Sequence, residues 1–204
     1  MGKLFIIAAP SGTGKTTVVK ELVDRIKVVQ IIRIITYTSR LPRPGEIEGV
    51  DYHFISEAHF IELKEQGFFI AVSTLYDAYY GVSLSYRDDL HKGLSLIAIL
   101  DRAGAREIAH DMPNVVLIWL FPPDFISLKN RLMQRATDTI ETIEKRLSIA
   151  QKELQEEAES PFFHYHVSSE NIDKTVLFVE KIILNELGFL KYNFSGQKEI
   201  LKKF

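Results

Sequence analysis

The sequence predicts an α/β fold in which a parallel sheet is flanked by helices. Short, almost wholly apolar runs alternate with stretches whose apolar residues recur every three or four positions. Most of the apolar runs lack the polar alternation of a half-exposed strand, which favours strands buried on both faces of a parallel sheet. The first run also leads directly into a glycine-rich loop and then a helix. A length of 204 residues suits one core with inserted subdomains.

In the first half of the chain, each predicted element has a local signal. Ser56 can cap a helix and Gly67 can end it, whereas residues 36–49 hold two prolines and two glycines and are predicted to be an exposed loop. Tyr79–Tyr80–Gly81 is predicted to be a turn. The predicted elements are strands at 4–9, 31–35, 51–55 and 68–75, and helices at 15–26, 58–65 and 86–92.

The second half continues the alternation. Residues 115–121 form an unbroken apolar run that stops at two prolines. Asp138 and Glu141 resemble a capping box that opens a long helix, and Gly188 is expected to end the last helix. The predicted elements are strands at 94–100, 115–121 and 163–167, and helices at 125–135, from 138 to about 157, and at 172–187.

Composition excludes several classes of protein. Hydrophobic residues make up 46% and charged residues 25% of the chain, and the formal net charge is −2. This balance predicts no nucleic acid or membrane partner. The absence of cysteine excludes disulfides and cysteine-based metal or nucleophile sites. The apolar N-terminal run is interpreted as a buried first strand rather than a signal peptide, which predicts a cytoplasmic protein.

The strongest motif is the phosphate-binding loop, defined here as residues 9–16, with the sequence APSGTGKT. It matches G-x-x-x-x-G-K-[ST] except that Ala9 replaces the first glycine. Gly12 and Gly14 allow successive backbone N–H groups to face phosphate oxygens, Lys15 reaches the β- and γ-phosphates, and Thr16 ligates Mg²⁺. The motif therefore predicts binding of a nucleoside triphosphate. The predicted ATP-binding residues are Pro10, Ser11, Gly12, Thr13, Gly14, Lys15, Thr16 and Thr17.

A second phosphate site is predicted in the loop that follows. Arg40 and Arg43 are three residues apart and are stiffened by prolines, and Tyr52 adds a phenolic donor. Guanidinium groups match phosphate oxygens in a two-pronged geometry. The alternative is a solvated surface loop.

Taken together, these segments resemble the guanylate kinase family. The resemblance rests on residues 11–16, on the spaced arginines, glycines and aromatic residues of 38–54, and on Tyr79–Tyr80–Gly81, and it covers residues 3–187. It implies ATP-dependent phosphorylation of GMP to GDP with Mg²⁺. It also implies a P-loop kinase core (1–35, 84–124 and 158–188), an acceptor-binding insertion (36–83) and a helical lid (125–157). The sequence assigns no role to the C-terminal tail (189–204).

The resemblance also assigns roles to individual residues. It implies GMP binding by Thr36, Arg40, Arg43, Tyr52, Tyr80 and Asp101, metal binding by Thr16, and catalytic roles for Lys15, Arg40, Arg131, Arg135 and Arg146. Arg131 and Arg135 would share one helix face if the helix continues through both.

Three positions depart from the family pattern. Ala71 replaces a glutamate that reads guanine, Ile99 replaces an acid, and Val82 replaces a hydroxyl residue. Ser169 stands where an asparagine is usual near the adenine site. The phosphate-binding residues of the family are thus retained, whereas several of its base-binding residues are replaced. Glu46, Asp77 or Asp101 could supply the missing carboxylate, but the sequence does not choose among them.

Two alternatives stay open at this point. One is a related P-loop kinase with a different acceptor, either another nucleoside monophosphate or a sugar phosphate. The other is a noncatalytic guanylate-kinase-like binding module, which the intact phosphate-binding lysine and the lid arginines disfavour. The six histidines show no metal-ligand spacing. The chain is expected to be a monomer or a homodimer.

Overall fold

The computed structural model describes residues 1–26, 29–112, 114–134 and 139–191. The elements within these ranges, in chain order, are β1 (Leu4–Ala8), α1 (Lys15–Arg25), β2 (Ile31–Arg33), β3 (Tyr37–Thr38), β4 (His53–Phe54), α2 (Glu57–Glu65), β5 (Phe69–Leu75), β6 (Ala78–Ser83), α3 (Tyr86–His91), β7 (Ser95–Leu100), α4 (Arg102–Asp111), β8 (Val115–Phe121), α5 (Phe125–Met133), α6 (Ile140–Glu159), β9 (Tyr165–Ser168) and α7 (Ile172–Glu186).

Five strands form the central sheet in the order β2-β7-β1-β8-β9, and every neighbouring pair is parallel. Alternate residues of β1 face opposite sides of this sheet, as the pleat of a strand requires. Leu4 and Ile6 pack with α4 and α6 on one face, while Phe5 and Ile7 pack with α1 and α7 on the other. The predicted α/β class with a parallel sheet flanked by helices is confirmed.

A second sheet, within residues 37–83, has the order β4-β3-β6-β5. Its outer face is covered by α2, whose Phe60 stacks on Phe69 at 4.5 Å and on Tyr79 at 5.3 Å between ring centroids. The hairpin between β5 and β6 turns at Tyr76 and Asp77, both in the left-handed region with φ of 52° and 59°. The prediction of a turn at Tyr79–Tyr80–Gly81 is therefore wrong, because these residues lie inside β6 and the chain reverses two residues earlier.

The sequence analysis missed one helix. In α4, two of the buried residues are Arg102 and Gly104, which break the apolar repeat on which the prediction relied. The helix is nevertheless well capped, since Asp101 Oδ1 accepts a 2.7 Å hydrogen bond from the Gly104 N–H.

The lid helices also differ from expectation. Helix α5 ends at Met133, and Arg135 lies outside the described residues, so the expectation that Arg131 and Arg135 share one helix face stays a prediction. Helix α6 is capped by Thr139, whose Oγ1 accepts a hydrogen bond from the Thr142 N–H at 3.2 Å. Asp138, the predicted cap, and residues 192–204 of the tail also lie outside the described residues. The division into core, insertion and lid stays a prediction.

A buried carboxylate ties the C-terminal half of α6 to the core. Glu157 is fully buried; its Oε2 accepts a hydrogen bond from Arg102, and its Oε1 lies 2.9 Å from His166 Nε2. Oε1 also accepts hydrogen bonds from the N–H groups of Phe162 and Phe163, at 2.8 and 3.0 Å. These contacts join α4, α6 and β9 through one side chain. Within the described residues, no helix is long and apolar enough to cross a membrane.

Glu157→Ala should strongly destabilise the fold, because it removes the only fully buried carboxylate that pairs with the Arg102 guanidinium among the described residues. Removing one partner of a buried ion pair costs about 3–5 kcal/mol. The free energy of unfolding, measured by urea denaturation, should fall by that amount. In the matched control Glu156→Ala, the lost side chain is exposed and lies 3.5 Å from Arg102, so a loss below about 1 kcal/mol is expected. Equal losses in the two variants would contradict this account.

Candidate active site

A cleft opens at the carboxyl edge of the central sheet, where the second sheet and α6 approach the phosphate-binding loop. Its wall is built from four parts of the chain: the phosphate-binding loop and the start of α1, the acceptor loop (residues 39–52, between β3 and β4) with the second sheet, the end of β7 with the start of α4, and Glu153 of α6. The predicted site residues that line it are Ser11, Gly12, Gly14, Lys15, Thr16, Thr17, Thr36, Arg43, Tyr52, Tyr80 and Asp101. The fold thus brings most of the residues implied for both substrates into one space.

The phosphate-binding loop has the backbone that its glycines predict. Gly12 and Gly14 have φ of 90° and 98°, a region that residues with a side chain rarely adopt. A Cβ on Gly12 would also lie only 3.0 Å from Leu132 of α5, so the loop packs closely under the lid. Thr13 stabilises the turn from within, because its buried hydroxyl donates to the Pro10 carbonyl at 2.8 Å. Lys15 Nζ donates to the Ala9 and Pro10 carbonyls at 2.5 and 3.2 Å.

The acceptor loop is organised by Glu46. This carboxylate accepts two hydrogen bonds from the Arg40 guanidinium, both at 2.9 Å, and one from the Arg43 N–H at 2.7 Å. Burial opposes ionisation of Glu46, but the bonds to Arg40 and Arg43 prevail and lower its pKa. Arg40 also lies over the ring of Tyr52, 5.3 Å from its centroid. Arg40 is therefore held within the loop in this structure, while the Arg43 side chain lines the cleft.

Two tyrosines complete this side of the cleft. The rings of Tyr52 and Tyr80 meet edge to face at 6.1 Å. Burial raises the pKa of Tyr52, so its hydroxyl remains a hydrogen-bond donor at neutral pH.

Arg131 and Arg146 lie outside the wall of the cleft. Arg131 donates to the Ser169 carbonyl at 2.8 Å and to the Thr13 carbonyl at 3.4 Å, so it links the end of β9 to the phosphate-binding loop. Arg146 is buried, with its guanidinium 5.0 Å from the centroid of the Tyr76 ring. Neither belongs to the described residues that line the cleft, although both contact the parts that do.

Three polar residues of the cleft were not assigned to the site from the sequence: Ser73, Tyr76 and Glu153. Tyr76 sits at the tip of the hairpin, where burial raises its pKa to about 12 and its side chain interacts with Ser11 of the phosphate-binding loop. No local signal marks it, because neither Tyr76 nor Asp77 is a glycine or asparagine that would announce a left-handed turn.

Glu153 is the most perturbed carboxyl group of the cleft. Burial raises its pKa to about 7; the positive charge of Lys15 lowers it in part, and the negative charge of Asp101 raises it further. The only sequence signal of Glu153 is a position less than two turns before the end of an amphipathic helix, and a solvated glutamate would occupy such a position equally well. Among the described residues, no group of three or more histidine, aspartate or glutamate side chains could hold a metal ion.

Comparison with known proteins agrees with this geometry. The profile of the guanylate kinase family matches residues 1–186. A guanylate kinase of Legionella pneumophila (strain Paris) is 35% identical over 201 residues, which is 98% of this chain and 94% of that protein. One from Protochlamydia amoebophila is 37% identical, covering 91% of each chain. The crystal structure of guanylate kinase from Anaplasma phagocytophilum superimposes with a TM-score of 0.74 at 25% identity, covering 99% of this chain and 94% of that one.

The chain belongs to the guanylate kinase family. It is a nucleoside monophosphate kinase, and its reaction is the ATP-dependent phosphorylation of GMP to GDP. Ala71, Val82 and Ile99, which the sequence analysis interprets as departures from the family pattern, all line the cleft of this kinase.

Glu153 should give the kinase a pH-dependent stability. Its pKa is about 7 in the folded chain and 4.5 as an unperturbed group, so the folded state binds more protons between these values. The free energy of unfolding should therefore fall as the pH rises from about 4.5 to 7. Glu153→Gln should flatten this slope in urea titrations of the unliganded protein. Glu144→Gln, an exposed position on the same helix, should retain it, and an unchanged slope in Glu153→Gln would refute the assignment.

Proposed function

We propose that the chain transfers the γ-phosphoryl group of ATP to the phosphate of GMP within this cleft, with the donor on the phosphate-binding loop and the acceptor on Arg43, Tyr52 and Tyr80. The observation that carries the proposal is that one cleft is lined by both groups of residues. Two phosphate-binding surfaces that face a shared space are what in-line transfer between two nucleotides requires.

The donor side uses the loop backbone, Lys15 and the start of α1. The N–H groups of the loop and the positive N-terminal end of α1 suit the charge of the triphosphate. On binding ATP, Lys15 would exchange the Ala9 and Pro10 carbonyls for phosphate oxygens. These carbonyls keep the ammonium group inside the loop until then.

A magnesium ion fits the donor side. The Thr16 hydroxyl and the carboxyl group of Glu153 are hard oxygen groups that line the same cleft. Mg²⁺ takes few protein ligands and completes its octahedral shell with phosphate oxygens and water, so the absence of a dedicated metal cluster among the described residues is compatible with it. Thr16 would hold the ion, which when bound would neutralise charge on the phosphates.

The acceptor side binds the GMP phosphate through Arg43 and the two tyrosine hydroxyls. Arg40 would act together with Arg43, since Glu46 holds both in one loop and Arg40 stacks on Tyr52. Thr36 and Asp101 would contact the base. No general base is needed, because the attacking group is an ionised phosphate oxygen.

The lid supplies the remaining positive charge. Arg131 contacts the Thr13 carbonyl of the phosphate-binding loop, and Arg146 lies against the ring of Tyr76, which lines the cleft. With Arg135, they would close over the transferring group, stabilise its charge and exclude water, which suppresses hydrolysis of ATP. ATP hydrolysis measured without GMP reports on that closure.

Relaxed acceptor choice is the second candidate, and one observation favours it: Ala71, Val82 and Ile99 line the cleft where more polar side chains would read a base. A noncatalytic binding role is not supported, because the phosphate-binding loop retains Gly12, Gly14, Lys15 and Thr16 together with the backbone shape that its glycines predict. A phosphorylation assay with ATP, Mg²⁺ and a panel of monophosphates separates these possibilities. A cytoplasmic location and a monomeric or homodimeric state remain predictions.

Lys15→Ala should lower kcat by about 100-fold or more while leaving the fold intact, because the lost ammonium group stabilises phosphate charge in the transition state. Turnover is measured with saturating ATP and GMP. Lys20→Ala removes an exposed lysine from the same helix and should keep normal turnover. A folded Lys15→Ala variant with near-normal kcat would overturn the donor assignment.

Arg43→Ala should raise the KM for GMP and lower kcat/KM about tenfold or more, because a hydrogen bond to a charged group contributes about 1.5–3 kcal/mol. The KM for ATP should stay unchanged. Lys64→Ala, at an exposed position in the same part of the chain, serves as the control. An effect confined to the KM for ATP would place Arg43 on the donor side instead.

A further inference from the structure

The lining of the cleft extends beyond the residues that would bind the acceptor phosphate. Part of its wall comes from β5, β6 and the end of β7, where the apolar side chains include Ala71, Val82 and Ile99. The polar side chains of this part include Ser73 and Asp101. A nucleoside monophosphate whose phosphate lies near Arg43 must place its base in this part or leave it in solvent.

Ser73 and Asp101 form a tight pair. The Ser73 hydroxyl donates to Asp101 Oδ2 at 2.5 Å, and Asp101 Oδ1 accepts from the Gly104 N–H at 2.7 Å. A further bond, from the Val72 N–H to Glu107 Oε2 at 2.8 Å, holds β5 against α4 beside the pair. The second sheet and the core therefore fix both oxygens in place before any ligand binds.

The pair has unused acceptor capacity. A serine oxygen that donates its one hydrogen keeps two lone pairs, and a carboxylate offers about four acceptor positions. Ser73 Oγ and Asp101 Oδ2 thus present two acceptors side by side, at a spacing similar to that of the two oxygens of one carboxylate. One of them carries the negative charge that strengthens a hydrogen bond.

We propose that Ser73 is a specificity-determining residue, whose oxygen together with Asp101 Oδ2 accepts the two adjacent N–H donors of guanine, N1–H and N2–H. The pair takes over the function of a single base-reading carboxylate. Adenine has no hydrogen on N1 and no amino group at C2, so adenine leaves both acceptors unpaired in a partly buried site. Unpaired polar groups of this kind are what allow an enzyme to reject an analogue. The apolar Ala71, Val82 and Ile99 would contact the base without offering competing polar groups.

This inference rests on the proposed function, since it concerns the same acceptor, and its test separates the two. The kcat/KM for GMP and for AMP is measured with Mg²⁺ and saturating ATP in the wild type, Ser73→Ala, Ser73→Thr and Thr74→Ala. Thr74 is the matched control because it is the exposed neighbour of Ser73 on β5.

In Ser73→Ala, kcat/KM for GMP should fall about tenfold, mainly through KM, while that for AMP changes less than about threefold. The preference for GMP over AMP should therefore narrow, with no change in the KM for ATP. Ser73→Thr retains the hydroxyl and should restore the preference, and Thr74→Ala should match the wild type. Ser73→Cys is a second variant in case Ser73→Ala folds badly. Cysteine has a similar shape, but its sulfur is a poor hydrogen-bond acceptor, so this variant should also narrow the preference for GMP over AMP.

Two results would overturn the inference. If the wild type phosphorylates GMP but the preference is unchanged in folded Ser73→Ala and Ser73→Cys, Ser73 does not read the base and the proposed function stands. If kcat/KM in these variants falls equally for GMP and AMP, Ser73 has only a structural role and the inference is wrong. If the wild type does not phosphorylate GMP at all, the proposed function fails and the inference fails with it.

Discussion

The five core strands run parallel, and this constraint places the chemistry of the molecule at one edge. Every strand of a parallel sheet delivers its carboxyl end to the same side, where open α/β sheets bind their ligands. The phosphate-binding loop follows β1, Asp101 follows β7, and Ser169 follows β9. The second sheet is inserted between β2 and β7, which are neighbours in the core, so it emerges at this edge as well. The phosphate-binding loop and the second sheet therefore meet at this edge, where they line one cleft.

Helices α5 and α6 are held at that edge by ion pairs and hydrogen bonds as well as by apolar packing. Glu157 joins α6 to Arg102, the residue that follows Asp101, and to His166 of β9. Arg131 of α5 joins Ser169 to the phosphate-binding loop. A buried carboxylate without partners is costly, so these contacts favour one docking of the C-terminal part of α6. The start of α6 carries Arg146 toward the hairpin of the acceptor sheet, where Tyr76 meets it.

The proposed phosphate contacts and the proposed base contacts are built in different ways. The phosphate contacts would depend on local sequence: the loop glycines, Lys15, and an acceptor loop folded around Glu46. The base contacts would depend on a junction between the second sheet and the core, where Ser73 meets Asp101. Ala71, Val82 and Ile99 line the cleft with this pair and lie outside both phosphate loops. On this proposal, the base-binding part of the site can vary without a change in the phosphate-binding part.

The sequence by itself determined the class of the fold, most of its helices and strands, and the phosphate-binding loop, because these depend on apolar spacing and on residues adjacent in the chain. It did not predict α4, whose buried arginine and glycine interrupt the apolar repeat, and it placed the hairpin turn at Tyr79–Gly81 instead of Tyr76–Asp77. Only the tertiary structure brought Ser73 to Asp101, Tyr76 to Arg146, and Glu153 to Lys15. Their partners lie 28, 70 and 138 residues away along the chain. Contacts at such separations are set by strand order and helix docking, on which the local sequence carries no signal.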